Sequence, residues 1–290
     1  MSIEATHLGK QSAYPQHYDP SVLVAVPRQL NREQYDISDE QLPFKGYDVW
    51  HAYEFSFLLD NGLPIAGMLK IVYPCNNQFL VESKSLKLYL NAFNMEKLGG
   101  SAGEGIAKAV STIENDLETL LGCPVQITYF DHRVPAAEDD FSGFVLLEEL
   151  LQHQLPACNV YRETPELLGE NQGKGSIRWG THLLRSNCKI THQPDWGTLY
   201  ISMEGAQLPK PEDFLRYLVS LRNENHFHEE ICELVYQRLI SKYQPEQLMI
   251  TCQYTRRGGI DINPVRVSHA SLYPLHLINA AEKTCLAFRQ

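Results

Sequence analysis

The run Ser186-Asn187-Cys188-Lys189-Ile190-Thr191-His192-Gln193-Pro194-Asp195-Trp196 sets a thiol among polar neighbours, with a carboxyl group seven residues later. A thiol facing a carboxyl group is a nucleophile with a proton donor beside it. Seven extended residues would span roughly 24 Å, so the chain must turn back for the two to meet. Pro194 helps, because it fixes its own φ and drives Gln193 out of the helical region. The same window also reads as a buried thiol beside a surface turn.

Three more windows carry chemistry-bearing residues. Glu82-Ser83-Lys84-Ser85-Leu86-Lys87-Leu88-Tyr89-Leu90 reads as a strand end and a helix start capped by Ser83 or Ser85. A helix N-terminus with serine and two lysines is also a phosphate site, and Glu82 is an acceptor for the donor edge of a base. Phe227-His228-Glu229-Glu230 reads as a helix start with acids against its dipole. Its functional reading is stacking by Phe227, proton transfer by His228 and hydrogen bonding by Glu229. The residue four after His228 is Cys232, so there is no HExxH zinc pair. Tyr254-Thr255-Arg256-Arg257-Gly258-Gly259-Ile260-Asp261-Ile262-Asn263-Pro264 reads as a hairpin tip. Its arginines and bare glycine backbone also suit a dinucleotide's phosphates.

Seven cysteines stand at 75, 123, 158, 188, 232, 252 and 285, with no CxxC. The odd number and wide spacing argue for reduced thiols and a cytoplasmic protein. Cys75, in the turn-like Tyr73-Pro74-Cys75-Asn76-Asn77, is the main rival to Cys188 for reactivity. The others read as packing residues.

The elements that must position these windows follow from periodicity. The start, to about Tyr47, looks irregular. Asp48 to Leu59 and Ile65 to Tyr73 read as a hairpin around Asp60-Asn61-Gly62. A short helix is expected from Ser85 to about Phe93. Gly99 to Gly105 reads as a mobile connector, followed by a helix bearing Ile106, Val110, Ile113 and Leu117. Val125 to Phe130 is a strand. Arg133 to Gly175 is the candidate connector, with room for one short helix within Phe144 to Leu155 and a flexible loop from Gly169 to Gly175. Strands then fall at 176–188 and 197–203, helices after Pro211 and over 226–243, and a hairpin at 248–268. Each half thus runs strand, strand, helix, helix, strand. Paired strands of this kind argue α+β with antiparallel sheets.

Composition sets the outer limits. The chain has 290 residues, is 43% hydrophobic and 21% charged, and carries a net charge of −10. That is enough apolar material for two domains or one large one. No apolar run approaches the length of about 18 residues that a membrane span needs. Met1 to Lys10 lacks the apolar core of a signal peptide. The acidic balance disfavours nonspecific binding to nucleic acid.

Taken together, the four windows resemble the bimodular NADPH-dependent nitrile reductases of the queuosine pathway, the QueF family of 7-cyano-7-deazaguanine reductases. Glu82 through Tyr89 looks like that family's signature segment, and Ser186 through Gly197 like its catalytic loop. Phe227-His228-Glu229 and Arg256 through Pro264 match in content and order. Lys189 departs from the pattern, where an apolar residue or proline is expected. It would either face solvent or favour the Cys188 thiolate.

The resemblance implies a fold and a division of labour. The fold is two tandem tunnelling-fold modules, with antiparallel sheets and helices packed on one face. They would span residues 1–135 and 176–290, joined by a linker at 136–175. The reaction is NADPH-dependent reduction of a nitrile to an aminomethyl group, with two NADPH per turnover. Cys188 would attack the nitrile carbon to give a thioimide, Asp195 would donate a proton, and His228 would assist later transfers. Val81, Glu82, Ser83, Phe227, His228 and Glu229 would hold the substrate. Ser83, Lys84, Arg257 and Gly258 would hold NADPH. No metal is implied. The deazapurine is a free base, so no nucleic-acid or membrane partner is required, and barrel closure implies a homodimer. Two rival readings remain. One is a zinc-dependent pterin or GTP cyclohydrolase-like enzyme of the same fold, with Cys188, His192 and either His182 or Cys252 as ligands. The other is a non-catalytic purine-binding module.

Overall fold

The protein is described by a computed structural model covering residues 15–290. The expectations for Met1 to Lys10 lie outside the described residues. The start is less irregular than its prolines imply. Strand β1 (Ala25–Pro27) and the one-turn helix α1 (Gln29–Arg32) precede a long hairpin of β2 (Lys45–Leu58) and β3 (Pro64–Pro74). Gly62 takes φ +85° in the turn, as the Asn-Gly signal requires. Strand β4 (Phe79–Val81) pairs antiparallel with β1. Strands of three residues are too short to show a period, which is why composition alone does not reveal them.

Helix α2 (Ser83–Asn91) is capped by neither serine. The Glu82 carboxylate accepts from Lys84 N and Ser85 N at 3.1 and 2.7 Å. Helix α3 (Ala102–Leu121) begins inside the glycine run, capped by Ser101, so Gly103 and Gly105 are helical rather than part of a connector. A Cβ at Gly105 would stand 2.3 Å from the Phe57 ring, so glycine lets the helix approach the sheet. Strand β5 (Gln126–Phe130) completes the first half.

The connector holds a two-residue strand, β6 (Val145–Leu146), the short helix expected there as the single turn α4 (Leu147–Leu150), and a 3-10 turn at Pro165–Leu168. It is packed down: Phe141 stacks on Tyr200 with ring centroids 4.2 Å apart. The second half runs β7 (Gly175–Cys188), β8 (Pro194–Gly205), α5 (Pro211–Ser220), β9 (Asn225–His226), α6 (His228–Tyr243), β10 (Gln247–Tyr254), β11 (Ile260–Val267) and the short α7 (Leu275–Ile278).

One sheet carries both halves, in the order β5-β3-β2-β11-β10-β8-β7-β6, with β9 beside β7. Its long strands pair antiparallel, and β2 and β11 join the halves along eight residue pairs from Ile260↔Ala52 to Val267↔Lys45. Helices α2 and α3 cover the first-half strands around Trp50, Phe57 and Ile113, and α5 and α6 cover the second-half strands around Trp179, Leu218 and Ile250. The opposite face, with Val49, Met249 and Val265, lies under the connector and the C-terminal segment through Phe141 and Leu277. Each half carries a β-bulge in its first long strand, between Ala52 and Phe55 and between Thr181 and Leu184. One extra residue reverses which face the later side chains occupy. That is how Trp50 and Phe55 share one core, and Trp179 and Leu184 another.

Candidate active site

The turn between β7 and β8 brings the thiol and the acid together as their spacing demands. Ser186 pairs directly with Asp195, and Asn187 with Pro194. Cys188 lies two residues beyond Ser186 on the same face, so Cys188 and Asp195 are diagonal neighbours across the hairpin. Cys188 N donates to Gln193 O at 2.8 Å, and His192 N donates to Cys188 O at 3.0 Å, closing the turn. Both side chains line one cavity of about 960 Å³, counted with its open mouth. The thiol is partly exposed. Cys75, the expected rival, is 1% exposed in the core, and burial pushes its thiol up to about 11. The turn itself is at the surface, with Asn76 and Gln78 exposed, but Cys75 follows the end of β3 at Pro74 and points its side chain into the core.

The start of α6 supplies a second wall. His228 stacks on Tyr254 at 3.9 Å, and its Nε2 stands 3.4 Å from Asp195 Oδ2, an ion-pair distance without hydrogen-bond alignment. Arg257 donates to Asp195 Oδ1 and to Gln193 Oε1. Burial pushes the Asp195 carboxyl up, but His228 and Arg257 outweigh burial and hold it below the usual carboxylate range. Asp195 is therefore an anion here, and the donor role expected of it requires a proton delivered through His228 or with the substrate. Glu229 is 3% exposed, and its Oε1 has no partner among the described residues. Burial first, and the charge of Asp48 second, push its carboxyl up to about 7. A buried acceptor without a partner is costly, so the site is built to receive a donor from outside.

The first half supplies the third wall through Val81, Glu82, Ser83 and Lys84, all at the cavity. The helix-terminus phosphate site expected at α2 is not available in the form the sequence implies, because Glu82 occupies the amides of Lys84 and Ser85. The cations for an anionic ligand are side chains instead: Lys84, Arg257 and Lys87 all line the cavity. Gly258 stands just outside the wall at φ +59°, and a Cβ there would lie 2.4 Å from Lys87 Nζ. Bare backbone beside an ammonium group fits a phosphate-bearing cofactor such as NADPH. Arg256 lies instead over the Tyr53 ring at 3.6 Å, away from that role.

Several lining residues escape sequence reasoning. Lys87 is not among them: it is the second lysine of the window read as a phosphate site, three residues after Lys84 on one helix face. Trp50, Ile260 and Ile262 read as core, and they form the apolar floor. His226, expected inside the helix, lies on β9 opposite Cys188 and lines the cavity. Lys189 does not simply face solvent: its Nζ contacts Asn31 Oδ1 and Glu230. The zinc reading finds no ligand set. His182 bonds Thr198, His192 bonds Asn225, and Cys252 is fully buried. No group of three His, Cys, Asp or Glu suited to a metal ion occurs among the described residues. No helix among them is long and apolar enough to cross a membrane.

Comparison with known proteins places this geometry. Residues 14–129 match the family model for the nitrile reductase, 7-cyano-7-deazaguanine reductase N-terminal part, and residues 194–272 match that for QueF-like protein. The NADPH-dependent 7-cyano-7-deazaguanine reductase of Dechloromonas aromatica (strain RCB) is 39% identical over 264 residues, covering 90% of both chains. That of Delftia acidovorans is 36% identical over 289 residues, covering 96% of this chain and 99% of its own. The Ralstonia nicotianae enzyme of the same name is 38% identical over 283 residues, again covering 96% and 99%. A crystal structure of the archaeosine synthase QueF-Like in the apo form covers 34% of this chain and 95% of its own at 15% identity. Its TM-score of 0.29 is too low to carry an argument. With a thiol, an acid and a buried carboxylate on one cavity, and relatives matched along almost the whole length, the chain belongs to the NADPH-dependent 7-cyano-7-deazaguanine reductase family.

Proposed function

We propose that this protein reduces the nitrile of 7-cyano-7-deazaguanine to a primary aminomethyl group, a step in making the queuosine modification of transfer RNA. The observation that carries the reading is the convergence on one cavity of Cys188, Asp195 and Glu229, whose Oε1 has no partner among the described residues. Cys188 Sγ, as thiolate, bonds to the nitrile carbon while the nitrile nitrogen takes a proton from the Asp195–His228 pair. The product is a thioimide, a C=N carbon that accepts hydride far better than a nitrile does. NADPH supplies the two hydrides the reaction needs, one to the thioimide carbon and one to the imine left when Cys188 departs as thiolate. Asp195 and His228 provide the second proton, which completes the amine. Trp50, Ile190, Ile260 and Ile262 give the cavity an apolar wall, which keeps water from the hydrolysable imine.

Substrate recognition falls to carboxylates facing a guanine-like edge. Glu229 offers its open oxygen to ring and exocyclic N–H donors, and an ionised carboxylate rejects a face that offers acceptors. Glu82 caps α2 and keeps lone pairs for the same edge. Phe227 stacks on the ring, with Val81 and Ser83 beside it. Lys84, Lys87 and Arg257 would hold the NADPH phosphates, with Ser83 and Gly258 alongside.

The architecture supports two tandem tunnelling-fold modules at 1–135 and 176–290, with 136–175 as the linker. The two halves share element order and bulge position, and the site draws on both. Among the described residues β5 is a sheet edge bonded only to β3, which leaves it open to a second copy in a homodimer. All seven cysteines are free, in keeping with a cytoplasmic protein. The test is the stoichiometry of purified protein with the nitrile. Two NADPH are expected to be oxidised per amine formed, with no turnover in Cys188→Ala. NADPH-independent conversion of the nitrile would contradict the reading.

A further inference from the structure

The turn that carries the nucleophile has little internal support. Its backbone is closed by the two hydrogen bonds between Cys188, His192 and Gln193, and His192 sits at φ +54°, an unfavourable conformation for a residue with a side chain. His192 Nδ1 meets Asn225 Oδ1 at 3.0 Å, which anchors the late part of the turn. The early part, next to the thiol, is held by the backbone pairing of Cys188 with His226 on β9 and, through its side chain, by Lys189. Its Nζ donates to Asn31 Oδ1 at 2.6 Å and to Glu230 Oε2 at 3.2 Å, and stands 5.7 Å from the Phe227 ring.

Glu230 is the fixed end of this tie. Its side chain is 1% exposed. Oε1 lies 2.7 Å from His226 Nδ1 and 3.2 Å from the Tyr35 hydroxyl, and Oε2 accepts from Phe227 N at 3.3 Å. Burial pushes the Glu230 carboxyl up, but His226 and Lys189 outweigh it and keep the group ionised. One buried anion thus grips the stacking residue Phe227, the cavity residue His226 and the residue after Cys188. Asn31 extends the tie to α1 in the first half.

We propose that Lys189 is a positioning residue for Cys188: its ammonium group clamps the nucleophile's turn to Glu230 and Asn31, so that the thiol, the stacked ring and the first half keep one geometry. The inference rests on the nitrile capture described above. Attack on a linear nitrile needs the sulfur along a narrow approach, and a displacement of about 1 Å can cost up to a hundredfold in rate. The clamp acts on placement, not on the ionisation of the thiol.

The experiment compares wild type, Lys189→Met and Lys189→Arg in the full protein without NADPH. Intact mass spectrometry follows the rate of nitrile adduct formation at saturating substrate, and iodoacetamide alkylation of Cys188 is followed across pH. The Met variant is expected to form the adduct about tenfold to a hundredfold more slowly. Its alkylation profile should keep the wild-type midpoint, and Arg should restore most of the rate. Adduct formation at the wild-type rate in the Met variant would overturn the proposal. A shifted alkylation midpoint would assign Lys189 to thiol ionisation instead, and an Arg variant as slow as Met would remove the charge from the explanation. A wild type that forms no adduct would overturn the capture chemistry, and the clamp with it.

Discussion

At the scale of single residues, Glu229 is the most informative group in the site. Its raised carboxyl is neutral for part of its range near pH 7, while the deazaguanine edge proposed to meet it presents donors. Binding the deazaguanine therefore favours the ionised form and releases a proton. Below about pH 7 that proton must first be lost, so the Kd should worsen by up to about tenfold per pH unit. Calorimetric titrations across this range should show the slope in wild type and a flat profile in Glu229→Gln; equal slopes in both would assign the effect elsewhere. The folding linkage has the opposite sign. A folded value raised above the unfolded one adds stability that is full below the ordinary carboxylate range and lost as pH rises through about 7. Glu229 was legible as a candidate in its window. Its burial and missing partner were not, because both depend on α6 packing across the seam from Asp48.

At the scale of elements, the hairpins and long helices follow from local signals. Asp60-Asn61-Gly62 and Pro211 mark a turn and a helix start where the structure has them. The two bulges were invisible, since a bulge is a relation between paired strands and leaves no period in one of them. The bulge in β7 also decides which way Cys188 faces. It turns Leu184, Ser186 and Cys188 to the face that carries Trp179, while an unbroken strand would turn them away. Deleting Leu183 should remove the extra residue and rotate Cys188 off the cavity. The expected result is a folded protein whose Cys188 forms no nitrile adduct. An adduct at the wild-type rate would show that the turn, not the bulge, sets the thiol's direction. His226 escaped notice for a related reason: its two-residue strand exists only through its pairing with Asn187 and Cys188.

At the scale of the whole molecule, the halves meet along β2 and β11 over a buried ion network. Arg28 and Arg266 both pair with Asp48, and Arg266 and Arg32 both pair with Glu233. Burial pushes Asp48 up, but the two arginines more than offset it and hold it low; Glu233 behaves likewise with Arg266 and Arg32. Depressed folded values give stability that is present above the ordinary carboxylate range and lost as pH falls through them. Asp48→Asn leaves Arg28 without its paired anion and Arg266 with Glu233 alone, and should cost about 3–5 kcal/mol in urea unfolding, with a flatter acid limb. A loss under about 1 kcal/mol would mean that the network relaxes or hydrates. The sequence shows these charges but not their meeting, which needs the two halves side by side. The same seam places Glu82 and Lys84 across the cavity from Cys188, so the capture of a nitrile by that thiol tests the whole assembly. The direct measurement is the intact mass of the protein mixed with 7-cyano-7-deazaguanine in the absence of NADPH. A gain of one substrate mass in wild type, absent in Cys188→Ala, is the expected result. An unchanged wild-type mass, or the same gain in Cys188→Ala, would contradict it.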